Sequence, residues 1–241
     1  MSISPPRTKR MRTASSLCFA ALFVYLAIAY VLMPSYWTQY TRHRPRLEDA
    51  PRITSAGHGL PGDPLNVAMI GSEESLKRAM LAAHWYPADG LTVRSCAHIV
   101  AATLFHRKYP MAPVSNLYLL GRKEDLAFER PVGGDPRHRH HVRFWRAPVV
   151  PAASGPVWVG AATYDTSVGL SHTTGQVTHH IAKNVDTERD FLFGDLRKSG
   201  ELVDSYVIDG YHEVCNGRNG GGDPWHTDGN LWVGLLEIDL E

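Results

Sequence analysis

From Ala14 to Met33 (ASSLCFAALFVYLAIAYVLM) the chain has no charged position and almost no polar one. Twenty helical residues rise about 30 Å, the hydrocarbon thickness of a bilayer, so the pattern predicts a transmembrane helix over 14–33. Residues 1–13 read as a basic tail. Residues 34–62 are polar and broken by Pro45, Pro51 and Pro61, with Pro64 just beyond, which predicts a stalk and not a continuous helix or strand. A globular domain then covers 63–241.

Inside that domain the period of the apolar positions changes twice. Leu65–Ile70 is a short apolar strand, and Ser72 stands where a helix N-cap is needed, with Glu73 and Glu74 in the first turn. Leu76, Ala79, Met80 and Ala83 follow at helical spacing. A second helix is predicted from Thr92 to His106 on the stripe Cys96, Ile99, Val100, Thr103 and Leu104. Period two takes over at Leu117–Leu120, Leu126–Glu129, His141–Arg146, Val157–Tyr164 and Gln176–Ile181. A third helix is predicted at Asp186–Lys198, with Thr187 and Asp190 in capping-box spacing and Gly200 past its end. Strands close the chain near Leu202–Ile208 and Leu231–Ile238. The expected class is therefore α+β: one antiparallel-sheet domain behind a membrane helix, with about three helices packed on one face of the sheet.

Charge narrows the function. Lys plus Arg is 25 and Asp plus Glu is 24, so no basic excess points to nucleic acid. Arg7, Lys9, Arg10 and Arg12 precede the apolar run, and Arg42, Arg44 and Arg46 follow it. With Tyr30, Tyr36, Trp37 and Tyr40 as an aromatic belt, this places the domain outside the cytoplasm of an inner-membrane, single-pass protein. A cleaved signal peptide is the competing reading, because Ala27-Ile28-Ala29 has the form of a cleavage site. Cys96 and Cys215 could pair there, or stay as two small buried side chains.

Histidine is the outlier. Six of the 13 fall between His138 and His180, in DPRHRHHVRFWRAP and SHTTGQVTHHI. Strand alternation puts His140, Val142, Phe144 and Arg146 on one face and His141, Arg143 and Trp145 on the other. It also sends His179 and His180 to opposite faces. Three readings stay open. One is an anion site of Arg143, Arg146, His141, His172, His179 or His180, with Arg137, Arg139 and Arg218 nearby, since guanidinium binds phosphate bidentately. Another is a divalent metal site of His172, His180 and Asp165, although the spacing matches no standard zinc signature. The last is a polar sheet face whose charges satisfy one another. His172 and Asp165 are also the candidate catalytic pair of a hydrolase, but no nucleophile-elbow motif accompanies Ser171. An Arg143 at a site mouth is expected to be solvated, so its removal should cost little stability. Asn216-Gly-Arg-Asn-Gly-Gly-Gly-Asp223 reads as a tight glycine turn in which Arg218 could pair with Asp223.

Four phrases carry a family resemblance: FERPVGGDPRHRHHVRFWRAP (Phe128–Pro148), VWVGAATYDTSVGLSHTTGQVTHHI (Val157–Ile181), DTERDFL (Asp186–Leu192) and GRNGGGDPWHTDG (Gly217–Gly229). They resemble the LssY carboxy-terminal domain family, from about Asp63 onward. The resemblance implies a bacterial envelope protein. Relatives are labelled secretion-system components, and in some the domain is joined to DedA-type membrane segments or a type-2 phosphatidic acid phosphatase. It assigns no cofactor and no catalytic residue. The partners it implies are the lipid bilayer, phosphorylated lipids, and membrane enzymes or a secretion complex.

Overall fold

The computed structural model describes residues 7–36, 52–88, 116–133, 138–147 and 155–237. The predicted helix at 92–106, Cys96, Arg137 and the arginines at 42, 44 and 46 lie outside them. Helix α1 (Arg7–Ala27) continues through a π-helical stretch, Ile28–Leu32. Within it Ser16–Tyr36 has mean hydropathy 2.3 over a length that can cross a membrane. Its apolar side chains, Phe19 and Phe23 among them, stand exposed.

The domain is a mostly antiparallel sheet with helices on one face. Its strands in chain order are β1 (Ile53–Ser55), β2 (Pro61–Pro64), β3 (Val67–Ile70), β4 (Tyr86–Pro87), β5 (Tyr118–Leu119), β6 (Arg122–Lys123), β7 (Leu126–Pro131), β8 (Arg139–Arg146), β9 (Val157–Leu170), β10 (Val177–Ile181), β11 (Leu202–Ile208), β12 (Asn216–Arg218), β13 (Pro224–His226) and β14 (Leu231–Leu236). Helix α2 is Glu73–Ala82 and α3 is Asp186–Ser199. The large sheet runs β11-β14-β3-β9-β8-β7-β4, with β10 added to the far half of β9. Only the β14–β3 pair in it is parallel.

Alternation decides the two faces. Met69, Phe128, Val142, Phe144, Trp158 and Ala162 meet Leu76 and Met80 of α2 and Leu192, Phe193 and Leu196 of α3 in the main core. On the other face Trp145 and Ala161 pack with Leu65, Leu117 and Leu119 beneath a small sheet, β2-β1-β5-β6. The segment expected as a stalk thus supplies two strands of that small sheet. Pro61 and Pro64 are tolerated because they are the ends of β2, an edge strand, where a missing N–H breaks no interior ladder.

The predicted ends are partly right. Ser72 caps α2 by accepting from the Ser75 N–H at 2.9 Å, and Gly200 closes α3 at φ +81°. The Thr187/Asp190 capping box is not used. Asn184 Oδ1 accepts from the Asp186 N–H instead, at 3.0 Å. The Asp186 carboxylate is turned to Thr227 Oγ1 at 2.8 Å and to the Asp228 N–H. Arg189 then grips Asp228 with both Nη atoms, at 2.9 and 3.0 Å. The phrases DTERDFL and HTDG are a clamp that fastens α3 to the loop before β14.

Candidate functional site

Between the large sheet and the loops over its second face lies a cavity of about 210 Å³, lined in part by Asp63, Arg139, His141, Arg143, Asp165 and His179. Three come from one face of β8, Asp165 from β9 and His179 from β10, because the ladder sets Arg139 opposite Asp165 and carries His179 beside Val168. Arg139 lies between two carboxylates, 2.7 Å from Glu129 and 2.8 Å from Asp165 Oδ2. His141 Nε2 meets Asp165 Oδ1 at 2.9 Å and Thr163 Oγ1 at 2.8 Å. Its Nδ1 is 3.1 Å from Arg143 Nη1. An arginine can only donate, so Nδ1 accepts and Nε2 carries the proton toward Asp165.

Burial sets the protonation states. It pushes His141 below its ordinary value and His179 down to about 4, so both rings are neutral at pH 7. Burial acts to raise Asp165, but His141, His179 and Arg139 outweigh it and hold the carboxyl well below the usual range. Arg139 is the cation among them that persists when the imidazoles are neutral.

Arg143 is 4 % exposed, 3.7 Å from Asp63. It is therefore a buried, partly paired guanidinium and not a solvated one. Among the described residues its Nε, together with His179 Nε2, is buried without a hydrogen-bond partner.

The residues grouped from sequence separate into distinct places. His172 does not line the cavity; it joins His180 and Asp223, with ring centroids of the two histidines 5.1 Å apart. Asp165 is absent from that second cluster, so the expected grouping of His172, His180 and Asp165 does not form; Asp223 stands beside the two histidines instead. Arg146 is exposed at the end of β8, where its N–H donates to Asp125 at 2.6 Å. Arg218 donates to the Gly222 carbonyl at 2.8 Å, while the Asp223 oxygens accept from His180 Nδ1 at 2.7 Å and the Ile181 N–H at 3.2 Å. His140 faces the helices, stacked on Phe191 at 3.9 Å and bonded to Glu188 at 2.8 Å. His179 lines the cavity, whereas His180 belongs to the second cluster.

Asp63 and Asn219 were not anticipated. Each sits in a proline- or glycine-rich stretch whose pattern announces a turn, and nothing local reveals that they meet at 3.2 Å.

The hairpin between β9 and β10 touches the apolar helix. Tyr25 Oη donates to the Gly175 carbonyl at 2.9 Å, and the Val177 N–H approaches Tyr30 Oη at 3.5 Å. Ser171, Thr174, Gln176 and Val177 of the same hairpin line the cavity.

The family model described as LssY C-terminus matches residues 47–231, and the chain belongs to that family. No match is found among curated proteins or among solved structures.

Proposed function

We propose that this member of the LssY C-terminus family is a membrane-anchored binding module of the cell envelope, whose cavity takes the phosphoryl part of a lipid head group. The observation that carries this reading is the pair of unsatisfied nitrogens, Arg143 Nε and His179 Nε2, in one buried cavity. A buried donor without a partner, such as Arg143 Nε, costs about 1–3 kcal/mol, which an acceptor oxygen on a ligand recovers; His179 Nε2 donates to the same ligand in the tautomer that carries its proton there. The volume of about 210 Å³ suits a head group and not a larger organic ligand.

Charge selects the ligand further. Two guanidinium groups face Asp63, Asp165 and Glu129, so every negative charge on a ligand adds to an existing negative excess and a dianion adds twice what a monoanion does. A singly charged phosphodiester is the better fit. Position supports a lipid source. Part of the cavity wall is the hairpin that rests on the apolar helix at Tyr25, Ala29 and Tyr30. With the domain on the exit side of the helix, as the sequence leads us to expect, the head group belongs to the outer leaflet.

A hydrolase built on Asp165 and His172 has less support, since both Asp165 oxygens are engaged and His172 lies in another cluster. The test is binding of a water-soluble glycerophosphodiester to the full chain in detergent. Arg143→Lys keeps the charge and loses the guanidinium fork, and Arg143→Ala loses both. Affinity should fall about ten- to a hundredfold in the alanine variant. Equal affinity in wild type and both folded variants would refute the assignment.

A further inference from the structure

Behind the cavity, three side chains from three separate elements converge. His172 belongs to the turn after β9, His180 to β10 and Asp223 to the glycine-rich loop before β13. One potential ligand atom from each lies within 4.8 Å of the other two. We propose that His172, His180 and Asp223 bind a divalent transition-metal ion of the zinc class, a site independent of what the cavity takes.

The surroundings are shaped for these side chains. Gly222 has φ +86°, and a Cβ there would stand 2.7 Å from the His172 Cβ. A Cβ on Gly169 would stand 2.7 Å from His180 Nε2. Glycine therefore clears the space beside both imidazoles. The loop is pinned to the turn by the His172 N–H donating to the Gly221 carbonyl at 2.9 Å. Asn219 Oδ1 accepts from the Gly221 and Asp223 N–H groups, each at 3.0 Å, which fixes the Asp223 backbone. The second oxygen of Asp223 is held by the Ile181 N–H. Among the described residues the His172 ring has no hydrogen-bond partner, so its lone pair is available.

Geometry and donor chemistry select the ion. Tetrahedral zinc with bonds of about 2.0–2.2 Å spaces its donors about 3.3–3.5 Å apart. His180 Nδ1 and Asp223 Oδ1, now 2.7 Å apart across a shared proton, would open by well under an ångström as the ion replaces that proton. Two imidazoles and one carboxylate suit zinc, cobalt or nickel, whereas magnesium and calcium prefer all-oxygen shells. Three protein ligands leave a fourth position for water or substrate, as in catalytic and not closed structural zinc sites.

The experiment titrates chelator-stripped full chain in detergent with Zn²⁺ alone, and separately with Co²⁺ followed by its visible absorption. One equivalent per chain is expected, with a cobalt spectrum of nitrogen–oxygen coordination. His172 is exposed, so His172→Ala should fold normally and lose at least about a hundredfold in affinity, since even outer-shell losses cost 10–100-fold. His180→Ala should do the same. His226→Ala, another exposed histidine, should titrate like wild type. Absence of saturable binding in the wild type, or wild-type affinity in the folded His172→Ala protein, overturns the proposal.

Discussion

Asn219 Nδ2 donates to Asp63 Oδ1 at 3.2 Å, across 156 positions of sequence. That bond joins the cavity to the three-residue cluster, because Asp63 faces Arg143 while Asn219 Oδ1 orders the Asp223 loop. Asn219→Ala removes the acceptor for two N–H groups at once. It should cost about 1–3 kcal/mol in urea denaturation and weaken zinc binding as well. A variant with wild-type stability and wild-type zinc affinity would show that the loop holds its shape without Asn219.

Asp165 is the shared partner of Arg139 and His141. Asp165→Asn removes one of the two carboxylates that hold the buried Arg139 from opposite sides, Glu129 being the other. The expected loss is about 3 kcal/mol. Chemical denaturation monitored by tryptophan fluorescence checks it, with Trp145 on the same strand as reporter; an unchanged midpoint would mean that Arg139 does not depend on Asp165.

Stability should fall as pH drops from 6.5 toward 4. His179, held at about 4 by burial, and His141, lowered by burial, are neutral in the fold and take up protons near 6.5 when unfolded. Their contribution is therefore complete above 6.5 and lost as pH falls through the folded value; for His179 it is at most about 3 kcal/mol. Glu188 opposes this. Burial raises it to about 7, so the fold binds the extra proton between 4.5 and 7 and loses stability as pH rises across that window. Glu188→Gln should steepen the acid loss and gain stability above pH 7. Melting temperatures at pH 4.5, 6 and 7.5 decide between these slopes and a flat profile.

Gly169→Ala should act on zinc more than on the fold. The clash is with the far end of the His180 ring, which can swing away at small cost. The swing carries the nitrogen off its position, so affinity should drop about tenfold or more while the melting temperature moves by a few degrees. The reverse result, a large melting shift with zinc affinity intact, would mark Gly169 as a packing position alone.

Removing residues 1–36 should release a folded, soluble domain. All three buried clusters are built from Leu65 onward, and among the described residues the helix adds the Tyr25 and Tyr30 contacts and the buried Ala29 and Pro34. The full chain should resist carbonate extraction, and the truncated one should run as a discrete species in gel filtration. Aggregation of the truncated chain would make the helix part of the fold. A reporter after Glu241 active only in the cytoplasm would reverse the orientation.

Local rules made much of this protein legible. A charge-free run gives the apolar helix. Period two gives the faces of β8, so that His141, Arg143 and Trp145 fall together opposite His140. The Leu202–Ile208 strand, the Ser72 cap and the Gly200 terminus follow from residues within a few positions of each other. Such features are set by backbone sterics and hydrogen bonds between near neighbours, and the sequence records them directly. The composition of each site is another matter. Asp223 rather than Asp165 meets His172 and His180 because a distant loop is laid against the β9–β10 hairpin. Arg146 shares a strand with Arg143 yet lies at its exposed end, and Arg143 becomes buried because the small sheet and its loops close over it. Alternation fixes which way a side chain points, but only the packing of remote segments decides what it meets there, since that depends on contacts spread over the whole chain.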